Sequence, residues 1–424
     1  MKFESYWLDT APAFTGARSH PPEGHYDVAV VGGGLTGLSA ARTLARGGAR
    51  VALVEAGRVI GEASGRNGGQ CNTGVAQDYV GMVDQLGRDQ AILHYRSYSE
   101  AVASIEQVIE EEGIECDYLR RGKLKLAAKP EHYDKLGRTC EAIRRDVDPD
   151  VALLSKEEAR REVDSPAFYG GLWQKNGGQM HMGRFGTGLA EAAVRHGAHL
   201  FEHTPMTGVE REGERYRLTT PHGDFYANNV LLATGASQVG PLNWFRRRLA
   251  PVGSFIVVTE PLSSEQCAQL IPNRRACVTS RIIGHYFRLT PDDRLLFGGR
   301  ARFAMSGGKS DAKSGEILRR GLRDTFPQLA ETPLSHCWGG LVDMSRDRLP
   351  HAGRHEGMYY VMGFSGHGVQ MSVHMGRMLA EMMLGQRKDY PWQGDNWPAI
   401  PGNFGKPWFL PLVGGWYRLQ DRLH

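Results

Sequence analysis

The sequence predicts an α/β protein. A nucleotide-binding domain is assembled from separated segments, and a second, strand-rich domain is inserted into it twice. Three observations carry this. Strand-and-helix signatures of the nucleotide-binding kind stand at the start, middle and end of the chain. The stretches between them are rich in strands, as in SFIVVTE, HYFRLT and RLLFGG. The chain has 54 glycines in 424 residues, close to double the usual ~7%. They follow no three-residue period, so the excess serves tight turns and close backbone approaches.

The elements follow in order. Residues 1–25 are turn-rich and read as an extended lead-in. YDVAVV (26–31) is an apolar run of strand length, LSAARTLARGG (38–48) has helical spacing and ends in glycines, and RVALVE (50–55) is a second strand. Together they make one β-α-β unit. A single helix is expected over 83–112, closed by Gly113, and strands or a hairpin over 118–129. Helices are expected over 131–147, 155–162, 183–197 and 315–327. Strands are expected over 198–205, 213–220 and 223–235, and a strand, glycine turn and long helix over 357–384. The expected division is 1–85, 150–238 and 335–390 for the nucleotide-binding domain, and 86–149 and 239–334 for the second domain. A tail, 391–424, packs across both.

Composition narrows the function. A net charge of +4 is mild at this size, so no nucleic-acid partner is implied. No apolar run reaches 18 residues and no leader pattern is visible, so no transmembrane segment is expected. Six cysteines without a CxxC pair fit free thiols in a reducing compartment, and the expected location is cytoplasmic. No metal site is expected: HAGRH (351–355) has two histidines at i, i+4 but no acidic partner.

Three glycine turns carry the chemistry. In Gly32-x-Gly34-x-x-Gly37 the first glycine permits a tight turn. The second lets a pyrophosphate approach the backbone, and the third lets the helix opened by Leu35 and Thr36 pack on the strand. Glu55, followed by Ala56, ends the next strand where an acid would hold ribose hydroxyls. The loop GEASGRNGGQ (61–70) offers backbone donors and the side chains of Ser64, Arg66 and Asn67, with Gly68 and Gly69, along a long dinucleotide. Gly363-Phe-Ser-Gly366-His367-Gly368-Val369 delivers a helix N-terminus, whose partial positive charge suits the pyrimidine end of a reduced flavin. Thr234-Gly235 closes a buried strand and could return to the same site.

These segments, with SYWLDTAP (5–12), GGQMHMGRFGTGLA (177–190), TEPL (259–262), YFRLTPDDRLLFGG (286–299) and WGGLVDMSRDRLPHAG (338–353), resemble the D-amino-acid oxidase/glycine oxidase superfamily of FAD-dependent oxidoreductases. The resemblance is closer still to the gamma-glutamylputrescine oxidase branch. It implies a Rossmann-type FAD domain interleaved with an antiparallel-sheet (α+β) substrate domain. It implies Met206 beside the adenine and Asp347 beside the flavin. Segments 340–345 and 64–68, where some relatives attach FAD through cysteine or histidine, hold neither here, so non-covalent FAD is expected. The lysine that sarcosine-oxidase-like relatives hold over the flavin matches Phe297, which leaves oxygen or another electron acceptor open. The implied reaction is oxidation of a C–N bond of a small amine by hydride transfer, to an imine that hydrolyses to aldehyde and amine, in polyamine catabolism. The alternatives are a D-amino acid or N-methyl amino acid as substrate, or flavin binding without turnover. His367, Tyr286, Arg288 and Arg300 are the candidates for the substrate side, the arginines as carboxylate clamps.

Overall fold

The computed structural model describes residues 1–74, 77–299, 308–392, 397–405 and 407–423. Two eight-stranded sheets organise it. The first runs His351–His355, Met358–Met362, Gly223–Leu232, His25–Val31, Val51–Val54 and His199–Phe201 from edge to edge; Arg215–Thr220 and Gly208–Glu212 extend it as a meander. The five strands from Met358–Met362 to His199–Phe201 are parallel. Parallel strands are covered on both faces, which is why these runs are continuously apolar: Val28 to Val31 and Val51 to Val54 are buried at every position. Val28 and Val30 pack in the core that contains Leu38 and Leu44 of helix Leu35–Arg46, while Ala29 and Val31 join Leu218 and Phe225 in another. Each such leucine, fully buried, contributes about 2 kcal/mol.

Helix Leu35–Arg46 packs closely on helix Gly368–Met383. Ser39 Oγ donates to the Val373 carbonyl at 2.7 Å. A methyl group on Gly376 would overlap the Thr36 carbonyl oxygen. The last long helix is thereby fixed against the first, and its N-terminus is set beside the glycine fingerprint.

The second sheet runs Leu334–Met344, Ala250–Thr259, Leu295–Gly299, His285–Leu289, Ala276–Thr279, Lys123–Leu126, Gly171–Gln174 and Ala152–Leu154. It is antiparallel except where Ala276–Thr279 meets Lys123–Leu126. Side chains alternate between its faces. Phe255, Val257, Cys277, Phe287 and Phe297 pack with Leu318 and Leu322 of helix Gly308–Thr325. Ser254, Val278 and Tyr286 look the other way, into the space between the sheets. Phe297 therefore sits on the helix-covered face, away from the cavity.

Several expectations are corrected. Strands Ala152–Leu154, Gly171–Gln174 and Leu334–Met344 belong to the second sheet, although the expected boundaries put them with the first. Lys123–Leu126 offers an edge that Gly171–Gln174 takes antiparallel, and Leu334–Met344 pairs along the length of Ala250–Thr259. The expected helix over 83–112 is two, Tyr79–Leu86 and Arg88–Glu112, broken where Gly87 adopts φ +82°. The stretch 118–129 holds one strand, not a hairpin. The lead-in is no loose extension: Tyr6–Thr10 is a short helix and Trp7 is fully buried. The tail divides, with Trp392 and Trp397 buried and Trp408 and Trp416 exposed. All six cysteines are free and buried. Among the described residues no helix is long and apolar enough to cross a membrane.

Candidate cofactor and substrate site

His25–Val31 lies between Val51–Val54, reached directly through one helix, and Gly223–Leu232, reached much later in the chain. At such a reversal the loops leaving the strands part and open a crevice. Here the crevice widens into a cavity of roughly 1140 Å³ that continues between the two sheets. Gly32, Gly34, Leu35, Thr36, Glu55, Ala56, Met206, Thr234 and Gly235 line one end. Ser64, Arg66, Asn67, Gly68, Tyr286, Gly366, His367, Gly368 and Val369 line the rest. The distant glycine turns thus converge on one space. Gly37, Gly69, Gly363, Asp347 and Arg288 are not on its wall. Arg300 lies outside the described residues.

Local geometry explains these placements. Gly32 holds φ +111°, and a methyl group there would stand 2.5 Å from the Ala233 carbonyl oxygen. Gly37 faces inward instead: a methyl group there would overlap the carbonyl oxygen of Gly32, so it serves the helix–strand packing. Gly34 is the N-cap of helix Leu35–Arg46, with no side chain capping it. Leu35 N–H donates to Ser64 Oγ at 3.0 Å. Glu55 stands at its strand end and accepts from Gly33 N–H and Gly57 N–H, both at 2.7 Å. A helix start with glycines and an oriented carboxylate beside it suits a phosphate and a ribose.

The loop 61–70 is braced by its own polar groups. Arg66 donates to the carbonyls of Gly61 (2.8 Å) and Gly339 (3.1 Å), tying the loop to the second sheet. Asn67 donates to the carbonyls of Ala63 and Ser64 and accepts from Gly69 N–H. Three further bonds come from residues not foreseen as part of the site: Trp7 Nε1 to the Asn67 carbonyl, Ser5 Oγ to Gly65, and Trp338 Nε1 to Arg66. The aromatic pair in the lead segment was the signal for this.

Arg288 belongs to the same bracing. It is 1% exposed. It donates to the carbonyls of Gly68 (2.9 Å) and Met180 (2.6 Å), with its guanidinium 4.9 Å from the Trp7 ring centre. The expected carboxylate clamp is thus a buried cation facing backbone oxygens behind the loop. Tyr286, two residues earlier on the strand, does reach the cavity, with its hydroxyl 3.3 Å from Ser254 Oγ.

At the third turn, Gly363 (φ +85°), Ser365 (φ +53°) and Gly366 (φ +92°) bend the chain sharply. His367 then starts helix Gly368–Met383 as its N-cap, and its side chain makes no capping bond. Its ring meets Tyr98 edge-on at 5.9 Å. The acid holding this turn is Asp343, an acid the sequence did not single out. Asp343 Oδ2 accepts from Gly363 N–H at 2.7 Å, and its carbonyl accepts from Ser365 N–H at 3.2 Å. Asp343 lines the cavity. Asp347 is turned to its own loop, accepting from Leu349 N–H and contacting His351 Nε2, both at 3.1 Å.

Burial pushes the Asp343 carboxyl up to about 6, against the pull of the Gly363 and Phe364 N–H groups. The unfolded chain ionises the same group near 3.8. The folded state therefore holds its proton longer and loses stability as pH rises from about 4 to about 6. Two pKa units correspond to about 3 kcal/mol at most. Cofactor-free Asp343→Asn should be more stable than wild type near neutral pH, by an amount that shrinks to nothing near pH ~4. Urea titrations at both pH values check this; an equal difference at both would refute it.

A parallel sheet with a glycine-lined crevice at its reversal, roofed by a second sheet, defines a dinucleotide-dependent oxidoreductase. Residues 27–382 match the family model for DAO, FAD dependent oxidoreductase, and the chain belongs to that family, with FAD as its cofactor. It is 32% identical over 410 residues to gamma-glutamylputrescine oxidoreductase of Escherichia coli K12, covering 94% of this chain and 93% of that one. It is likewise 32% identical over 367 residues to a probable oxidoreductase, OrdL, of Haemophilus influenzae, covering 85% and 83%. The crystal structure of glycine oxidase from Geobacillus kaustophilus shares the fold, with a TM-score of 0.69, 24% identity, and coverage of 87% of this chain and 96% of that one.

The residues fit FAD. Gly32 and Gly34 leave room for a close backbone approach at the start of helix Leu35–Arg46, and Glu55 and Met206 line the same cavity. The N-terminus of helix Gly368–Met383 lies farther along the same cavity.

Proposed function

We propose that this oxidoreductase oxidises the C–N bond of a small amine of the gamma-glutamylputrescine kind. The observation that carries the reading is the full-length similarity to the Escherichia coli gamma-glutamylputrescine oxidoreductase. FAD, held without a covalent bond, supplies the two-electron acceptor for the hydrogen on the carbon beside nitrogen. The chain's part is to bind, orient and dry the amine. An amine must lose its proton before its lone pair can assist C–H cleavage, and the apolar space between the sheets favours the neutral form. Tyr286, with Ser254 at its hydroxyl, and His367 are positioned on the cavity wall to orient the nitrogen. Helix Gly368–Met383 turns its N-terminus to the developing negative charge. The imine leaves and hydrolyses to an aldehyde, releasing ammonia from a primary amine or a shorter amine from a secondary one. The enzyme works in the cytoplasm, in polyamine breakdown.

The test is anaerobic. The purified protein should be yellow, and gamma-glutamylputrescine should bleach it faster than D-alanine or sarcosine. Faster bleaching by either amino acid would move the assignment to amino-acid oxidation. No bleaching by any amine would remove the amine reading altogether.

A further inference from the structure

The cavity does not end at Tyr286. It reaches strand Lys123–Leu126. Counting from Leu334–Met344, that strand is five pairings across the second sheet, about 24 Å at ~4.8 Å each. Its sequence KLKL alternates. Leu124 and Leu126 lie in the core with Phe287, while Lys123 and Lys125 share the face that looks into the cavity.

Lys123 is 7% exposed, and its Nζ donates to the Thr73 carbonyl at 3.1 Å. Among the described residues no carboxylate forms an ion pair with Lys123 or Lys125. The acid on this wall is Asp78, which is 3.4 Å from Lys135 Nζ and accepts from Thr139 Oγ1 at 2.8 Å. Three cations thus meet one anion. Burial pushes the Lys123 ammonium down to about 7, with the charge on Lys125 adding to the effect; burial lowers Lys125 as well, against the pull of the Asp78 carboxylate, which makes no ion pair with it. Charged groups kept under cover without a partner are costly to stability. Where they line a ligand cavity, the missing partner is a ligand of opposite charge. The FAD pyrophosphate does not answer this need, because its helix start and glycines belong to the first sheet.

We propose that Lys123 and Lys125 form an anion subsite for a carboxylate at the end of the substrate remote from the oxidised C–N bond. This rests on the amine-oxidising reading above. The substrate is then an amine with an acidic far end. A plain diamine of the same length would press a second ammonium against the lysines and be rejected, so the subsite selects by repulsion as well as attraction.

The experiment titrates the flavin-loaded protein with glutarate, a carboxylate probe that cannot be oxidised, and follows calorimetry and the flavin absorption band. Wild type should bind it saturably, and cadaverine should not compete. Lys123→Met and Lys125→Met should each weaken binding by about tenfold or more while keeping the flavin spectrum, and Lys125→Arg should keep most of the affinity. Lys125 is only half-buried, so its variant stays readable if Lys123→Met fails to fold. Absence of glutarate binding to wild type, or binding unchanged in the methionine variants, overturns the proposal. Amine bleaching reads the other claim separately. Lysine-dependent glutarate binding in a protein that no amine bleaches keeps the subsite and removes the amine reading; bleaching with lysine-independent binding does the reverse.

Discussion

Gly34→Val protein is expected to purify colourless. Gly34 has φ −81° and ψ −179°, an extended conformation open to any residue, so valine adds no backbone strain. The first carbon it adds, however, stands 2.8 Å from Ser64 Oγ, which accepts the Leu35 N–H at the helix start. The two further methyl groups project into the space where a pyrophosphate must meet the backbone. Loss of FAD affinity by about a thousandfold or more, about 4 kcal/mol, follows from displaced phosphate contacts. The cofactor-free protein should unfold somewhat below the wild-type midpoint, because the added carbon pushes Ser64 Oγ off the Leu35 N–H. Flavin content per chain, read by absorbance after denaturation, decides the matter: a valine variant with full flavin would exclude this crevice as the pyrophosphate site.

The second large effect concerns Arg288→Met. Methionine keeps much of the stem's volume but leaves the Gly68 and Met180 carbonyls without their donors and removes the cation near the Trp7 ring. Each buried carbonyl left unmatched costs about 1–3 kcal/mol, so a loss of about 3 kcal/mol or more is expected, seen as a lower Tm and easier loss of flavin. The KM for an acidic amine, measured with FAD in excess, should change little. A variant that melts like wild type and shows only a raised KM would restore Arg288 to the role of carboxylate clamp.

The contrast between Tyr286 and Arg288 shows where sequence reading stops. Alternation puts both on one face of their strand, and that inference holds. What covers the face is a different matter. The loop 61–70 lies over Arg288 and leaves Tyr286 to the cavity, and that loop comes from far away in the sequence. The fingerprint was legible because its chemistry is local, within one β-α-β unit. Lys123 and Lys125 show the opposite case. Polar residues alternating with leucines read as a solvated strand face, and only the tertiary packing around them turns that face inward. Asp343 was passed over for a similar reason: an acid on a strand carries no mark of burial, even inside a segment whose resemblance was noted. Tyr6 and Trp7 were hidden by the turn-rich stretch that follows them, whose prolines and glycines signal turns but say nothing of what docks beside them.

One feature of the first sheet constrains how the molecule comes into being on the ribosome. His25–Val31 has Val51–Val54 on one side, available as soon as it is made. Its other neighbour, Gly223–Leu232, emerges much later, and Met358–Met362 later still. Helix Leu35–Arg46 waits for its partner Gly368–Met383 as well. Non-local pairings of this kind fold slowly and leave apolar edges uncovered meanwhile. The nascent β-α-β unit must therefore stay partly open through most of synthesis. Chaperone demand should fall mainly on chains that are still growing, and the cofactor crevice can close only once helix Gly368–Met383 has been made.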